Sequence, residues 1–174
     1  CEKIVNGIVE SCAIQNSASE KKLKASLALA DQLMRQMGAS AATGTSVSWE
    51  AVNQISKEKT SIQLPSVQLG DTVIAQNYDA SKPTALVDDV VKKAGGAATL
   101  FQRMDEKGDM LRVATSVIGA DGKRAIGTFI PSINADGKPN PVISAVMRGE
   151  TYVGRAFVVN TWYLSAYQPL MDAQ

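Results

Sequence analysis

From residue 2 to residue 37 the chain carries no proline and a single glycine, Gly7, and no other feature limits the fold as much. Apolar side chains fall at Ile4, Val5, Ile8, Val9 and Cys12, then at Leu23, Leu27, Ala30, Met34 and Met37, so the stretch has helical period. The second set alternates steps of three and four, which predicts one buried stripe; the polar run 15–22 between the sets predicts a helix that protrudes from its domain. An ordinary amphipathic packing helix accounts for the second half only. Gly38 supplies the stop. Cys1 and Cys12 are eleven residues apart, and at about 1.5 Å of rise per residue they lie far outside disulfide reach within one helix. A bridge to a second chain and two free thiols both stay open.

Beyond Gly38 the pattern changes from helical period to alternation. After a small-residue loop at 39–44, residues 46–55 and 60–64 are β-branched and alternating and predict strands, broken by the proline and glycine of 64–70. A short helix is predicted over 84–93, with Thr84 as cap, Asp88 and Asp89 early, Lys92 and Lys93 late, and Gly95-Gly96 beyond it. Strands at 98–104, 110–118 and 124–130 are then separated by Lys107-Gly108 and Asp121-Gly122, and Asp136-Gly137 comes after the third. Pro139 and Pro141 introduce a short helix at 142–147, closed by Gly149, and strands at 151–159 and 161–170 complete the set. Closely spaced hairpins predict an antiparallel sheet, and the class is α+β: one long N-terminal helix on a sheet with short helical insertions.

The 174 residues suit one domain with an N-terminal extension. Lys and Arg number 18 against 17 Asp and Glu, so no basic field exists for a phosphate backbone, and nucleic acid is excluded as a partner. Histidine is absent, which removes the usual general base and the commonest metal ligand. There is also no phosphate-cradling glycine loop, so no catalytic residue, metal or cofactor is expected and the chain is not read as an enzyme. No apolar run approaches the roughly 20 residues that span a bilayer. The chain starts at Cys1 without methionine, which reads as a processed product or excised fragment; a lipid-modified N-terminal Cys would look the same.

The second half places Arg112, Thr115, Arg124, Thr128, Tyr152, Arg155, Trp162, Tyr163 and Tyr167 on neighbouring strands. Guanidinium forks beside hydroxyl and phenol donors suit a planar carboxylate. The alternative is that the arginines pair with carboxylates such as Asp109 or Glu150 and the aromatics fill the core. Arg112 and Thr115 are three apart and face opposite sides of a regular strand unless a bulge intervenes. Tyr152, Gly154 and Ala156 share a face that leaves space beside the ring, and the insert 134–149 is either a lid or a surface insertion.

Four ordered motifs then carry a resemblance: Gly-Asp-Met-Leu-Arg-Val-Ala-Thr at 108–115, Asp-Gly-Lys-Arg-Ala-Ile-Gly-Thr at 121–128, Gly-Glu-Thr-Tyr-Val-Gly-Arg-Ala at 149–156, and Trp-Tyr-Leu-Ser-Ala-Tyr-Gln-Pro-Leu-Met-Asp at 162–172. Over about 45–174 the chain resembles the Cache sensors, more narrowly the periplasmic single-Cache domains of the Cache 3/Cache 2 fusion type in methyl-accepting chemotaxis proteins. The resemblance implies residues 1–44 as a helix and loop leading from the membrane, and 45–174 as a PAS-like five-stranded antiparallel sheet with a small-molecule pocket. It also implies flanking membrane helices outside this chain and a final strand after the Pro-Leu-x-Asp turn, before which the chain stops at Gln174; the long helix makes a homodimer an expectation for the intact receptor.

Related sensors hold organic acids through an arginine followed closely by a polar group on a central strand, positions that Arg112 and Thr115 resemble. Sensors of di- and tricarboxylates carry a basic residue four before the proline of the last turn, where this chain has Ser165. The expected ligand is thus a small monocarboxylate such as acetate, propionate or pyruvate, held by Arg112, Thr115, Thr128, Tyr152, Arg155, Trp162 and Tyr163. The expected protein is the extracytoplasmic sensor of a chemoreceptor on the periplasmic side of the inner membrane. The same module on a histidine kinase or cyclase, or a secreted or lipid-anchored binding protein, are the competing expectations.

Overall fold

The long helix forms as its period requires. In the computed structural model the backbone is described for residues 2–38 and 40–170, and side chains for 18–38 and 42–170; Cys1, the side chain of Cys12 and the last turn at 171–174 lie outside that description. Helix α1 spans Glu2–Met37 and closes where the Gly38 amide donates to the Met34 carbonyl. Along its second half Leu23, Leu27, Ala30, Leu33, Met34 and Met37 are half-buried, and the last four pack on the core, while residues 18–22 are exposed. Its end is pinned to a turn: a Cβ built on Gly70 would lie 1.7 Å from the Met37 carbonyl oxygen, at a φ of 57°. Only glycine lets the two backbones meet there.

Strands β1 (Ser40–Asn53) and β2 (Lys59–Leu69) form a long antiparallel hairpin, followed by β3 (Thr72–Val73). The expected loop at 39–44 is therefore largely strand, and β2 runs through Pro65 instead of stopping. The reason lies in the register, which slips between Ala42 and Ser46; Pro65 faces Ser46 at the edge of that bulge, where a missing N–H breaks no regular ladder. Helix α2 spans Val87–Ala94, beginning later than predicted. Thr84 is not its cap; instead the Thr84 amide donates to the Asp88 carboxylate at 2.7 Å, and Leu86 precedes the helix at a φ of 68°. Strands β4 (Thr99–Arg103), β5 (Met110–Thr115) and β6 (Thr128–Ile130), helix α3 (Pro141–Met147) and strands β7 (Tyr152–Val158) and β8 (Thr161–Tyr167) follow within a few residues of expectation.

The class is α+β as expected, but the sheet is not a single antiparallel one of five strands. Six strands lie in the order β3-β2-β1-β6-β5-β4, and β7-β8 pair with each other alone among the described residues. The exception to antiparallel pairing is β1 with β6, where Val52 pairs with Thr128 and Asn53 with Phe129. Gly127, at a φ of 76°, turns the chain so that its carbonyl accepts the Val52 amide at 2.8 Å and its amide donates to the Arg112 carbonyl at 2.9 Å, which seats β6 between β1 and β5. The sheet curls: Gln102 of β4 donates to the Pro65 carbonyl of β2 at 2.9 Å although the two strands are not neighbours.

One sheet face holds the main core, with Trp49, Ala51, Leu100, Leu111, Ala114 and Phe129 packed with Val87 and Val90 of α2 and the apolar stripe of α1. The β7-β8 hairpin covers the other face, and β8 also touches α1. Burial of apolar area of this kind contributes about 25 cal/mol per Å² and is the main force that holds the layers together.

Candidate functional site

The register of β4 and β5 resolves the parity conflict at Arg112 and Thr115. Thr99 pairs with Thr115 and Leu100 with Ala114, but Phe101 pairs with Arg112, so Val113 is an extra residue in β5. That bulge turns Arg112 and Thr115 to the same face, the one beneath the β7-β8 hairpin. Thr115 there shares a 2.6 Å hydrogen bond with Thr99.

Arg112 is fully buried, with 0 % of its surface exposed. Its guanidinium lies 4.9 Å from the centroid of the Phe101 ring. Nη1 donates to the Thr128 hydroxyl, which in turn donates to the Ala125 carbonyl at 2.7 Å. Nη2 has one long bond, 3.5 Å to Oε1 of Gln54, and among the described residues Nε has no partner. No carboxylate among the described residues pairs with this arginine. Nε and Nη2 share one edge of the guanidinium plane, the edge that takes a carboxylate side-on through two parallel hydrogen bonds. Burial pulls the Arg112 pKa down to about 10, the phenol of Tyr167 working against that fall, and the group remains cationic at neutral pH.

The hairpin supplies the roof. Tyr152 pairs with Tyr167 across β7-β8, their ring centroids lie 6.2 Å apart, and Tyr167 sits 6.0 Å from Phe101. The Tyr152 hydroxyl donates to the Arg155 carbonyl at 2.8 Å. Burial raises the Tyr167 pKa, although Arg112 lowers it, so the phenol keeps its proton as a donor. Gln54, 2 % exposed at the end of β1, joins floor to roof: Nε2 donates to the Phe157 carbonyl at 2.9 Å.

Of the residues expected from the sequence, the structure gathers Arg112, Thr128 and Tyr152 at the space between sheet and hairpin, while Thr115 lies further along the same sheet face with its hydroxyl taken by Thr99. Arg155 and Trp162 lie on the outer side of the hairpin, stacked on each other at 5.7 Å, because strand alternation turns them away from Tyr152 and Tyr167. Tyr163 shares the inner parity but is 50 % exposed near the hairpin tip. Gln54 and Phe101 were not expected. The alternation Thr99, Phe101 opposite Thr115 carried a signal for Phe101; nothing in the local pattern marks Gln54, whose partners are remote in sequence.

Arg124 has a different task. It is 6 % exposed, and its guanidinium grips both oxygens of Asp88 at 2.9 and 2.7 Å and the carbonyls of Thr115 at 2.8 Å and Lys82 at 2.9 Å. This clamp ties α2 and the segment before it to the loop after β5. The Asp88 carboxyl, though burial raises its pKa, is held below the ordinary value by its bonds to Arg124 and the Thr84 amide. A depressed folded-state pKa stabilises the fold above the ordinary carboxylate range and loses that contribution as pH falls through the folded value. Acid unfolding should therefore lose part of its pH dependence in Asp88→Asn, read from Tm between about pH 5 and 2; an unchanged profile would remove Asp88 from the acid response. The insert 134–149 is also anchored, since Asn140 caps α3 through the Val142 amide at 3.0 Å and Val142 and Ile143 are buried.

Two recesses elsewhere on the surface, one beside Trp49 and Gln102 and one beside Ile133 and Met147, do not reach Arg112. Among the described residues no helix is long and apolar enough to cross a membrane. With this geometry established, the family model described as the Cache 3/Cache 2 fusion domain matches residues 1–174. The chain belongs to that family. Cache domains are extracytoplasmic sensor modules for small molecules, generally without enzymatic activity, and the buried cation of this Cache domain lies between the sheet and the segments laid over it. No curated protein and no solved structure matches this Cache domain.

Proposed function

We propose that this Cache domain is the periplasmic sensor of a membrane-anchored chemoreceptor, and that it binds a small monocarboxylate on the free Nε–Nη2 edge of Arg112. The observation that carries the reading is a cation at 0 % exposure whose Nε has no partner among the described residues. A buried charge with no counter-ion costs several kcal/mol, and an anion that completes its shell recovers most of that cost. The remaining groups around it, Gln54, Thr128, Tyr152 and Tyr167, are neutral donors and acceptors. Ser165 alternates with Tyr167 on the roof and brings no second cation. One edge and one charge fit one carboxylate, and the tight packing favours a short one. Occupancy then draws the roof toward the sheet through Tyr152 and Tyr167, and β8 passes the displacement to α1, which it touches. A ligand shifts such an equilibrium only by its differential affinity for the two arrangements.

A thermal-shift screen of small organic acids and amino acids tests this. A monocarboxylate at a hundredfold excess over Kd should stabilise the domain by about 2.7 kcal/mol, and the effect should vanish in Arg112→Met. Stabilisation by dicarboxylates alone, or one that persists in Arg112→Met, would contradict the reading.

A further inference from the structure

Gln54 occupies an unusual position for a side chain at a strand end. It is 2 % exposed, and all its side-chain partners come from distant segments. The Phe157 carbonyl can only accept a hydrogen bond, so the amide nitrogen faces it at 2.9 Å and Oε1 faces the other way. Oε1 then sits 3.5 Å from both Nη2 of Arg112 and the amide of Val159, two long contacts shared by one oxygen. Beside it, Lys57 donates to the Gln54 carbonyl at 2.6 Å and to the Val159 carbonyl at 3.0 Å. Val159 itself, a β-branched residue in the β7-β8 turn, has a φ of 58°, a conformation that such residues avoid. The hairpin tip is therefore held in a strained form by side chains from the turn after β1.

We propose that Gln54 is an internal occupant of the anion site. Its carboxamide oxygen holds the Nη2 end of the free edge of Arg112, a ligand carboxylate displaces it, and the displacement releases the tip of the β7-β8 hairpin. The proposal rests on the carboxylate reading above and adds the means by which occupancy reaches the hairpin. A carboxylate bound side-on places one oxygen against Nη2, where Oε1 now lies. Two acceptors do not share that position, and when Oε1 leaves, the Val159 and Phe157 contacts made by the same amide group are disturbed with it.

The test uses sodium acetate and the full 174-residue chain, titrated by calorimetry with wild type, Gln54→Ala, Gln54→Glu and Arg112→Met. Removal of a competing contact should tighten acetate binding to Gln54→Ala about tenfold, while Gln54→Glu and Arg112→Met lose it. Amide exchange over 157–160 should quicken with acetate in wild type only. Equal or weaker binding by Gln54→Ala, with Arg112→Met still inactive, overturns the internal occupant and leaves the carboxylate reading standing. If acetate binds neither wild type nor Gln54→Ala, the carboxylate reading and the internal occupant that rests on it fall together.

Discussion

Arg112→Met is expected to make the ligand-free domain more stable while ending its response to carboxylates. Burial draws the Arg112 pKa down to about 10, which corresponds to roughly 3 kcal/mol by which the site opposes the charged form. Methionine keeps the stem and removes the charge. The losses are the bond to Thr128, whose hydroxyl retains the Ala125 carbonyl as acceptor, the long contact to Gln54 and the stacking on Phe101. The net gain should be about 1–3 kcal/mol, or a Tm rise of several degrees at about 2–4 °C per kcal/mol. A fall in Tm would mean that Arg112 is a structural cation already satisfied by its surroundings. A stabilising substitution at the binding cation is the behaviour of a site whose charge is kept for a ligand and not for the fold.

Arg124→Met is expected to do the opposite. It leaves the Asp88 carboxylate and the carbonyls of Thr115, Lys82 and Asp79 without their shared donor, and buried groups deprived of one partner typically cost about 3–5 kcal/mol. Chemical denaturation should show that loss in full, and Asp88→Asn combined with Arg124→Met should cost less than the sum of the two single changes. Additive effects would mean that the two groups do not act as a pair. The contrast between the two arginines is the physical core of the account. Both are buried, yet one has a carboxylate and three carbonyls, and the other has an open edge.

How much of this the sequence carried depends on the range of the interaction that decides each feature. The long helix, the turn-bounded strands and the α3 insert follow from local period and turn residues, and they appear close to where the pattern puts them. The parallel pairing of β1 with β6 is set by the conformation of Gly127 and two long-range hydrogen bonds, for which no local pattern exists. Pro65 misled for a similar reason, since the bulge that accommodates it lies on the partner strand. In the site, Arg112 and Thr128 were legible as donors, and placing Thr115 on the same face needed a bulge at Val113 that no turn or glycine signal marks. Arg155 and Trp162 looked equivalent to Tyr152 by composition, but alternation along a hairpin roofing the sheet turns them outward.

The most direct measurement is the ¹⁵N–¹H resonance of the Arg112 Nε–H group, assigned by its loss in Arg112→Met, during a titration with sodium acetate. Arg112 Nε is buried and has no partner among the described residues, so a carboxylate bound side-on becomes its first acceptor. That proton should show a saturable downfield shift, with a midpoint equal to the Kd from calorimetry. An Nε–H resonance that stays in place while acetate binds elsewhere, or while no carboxylate of the screen binds at all, would contradict it.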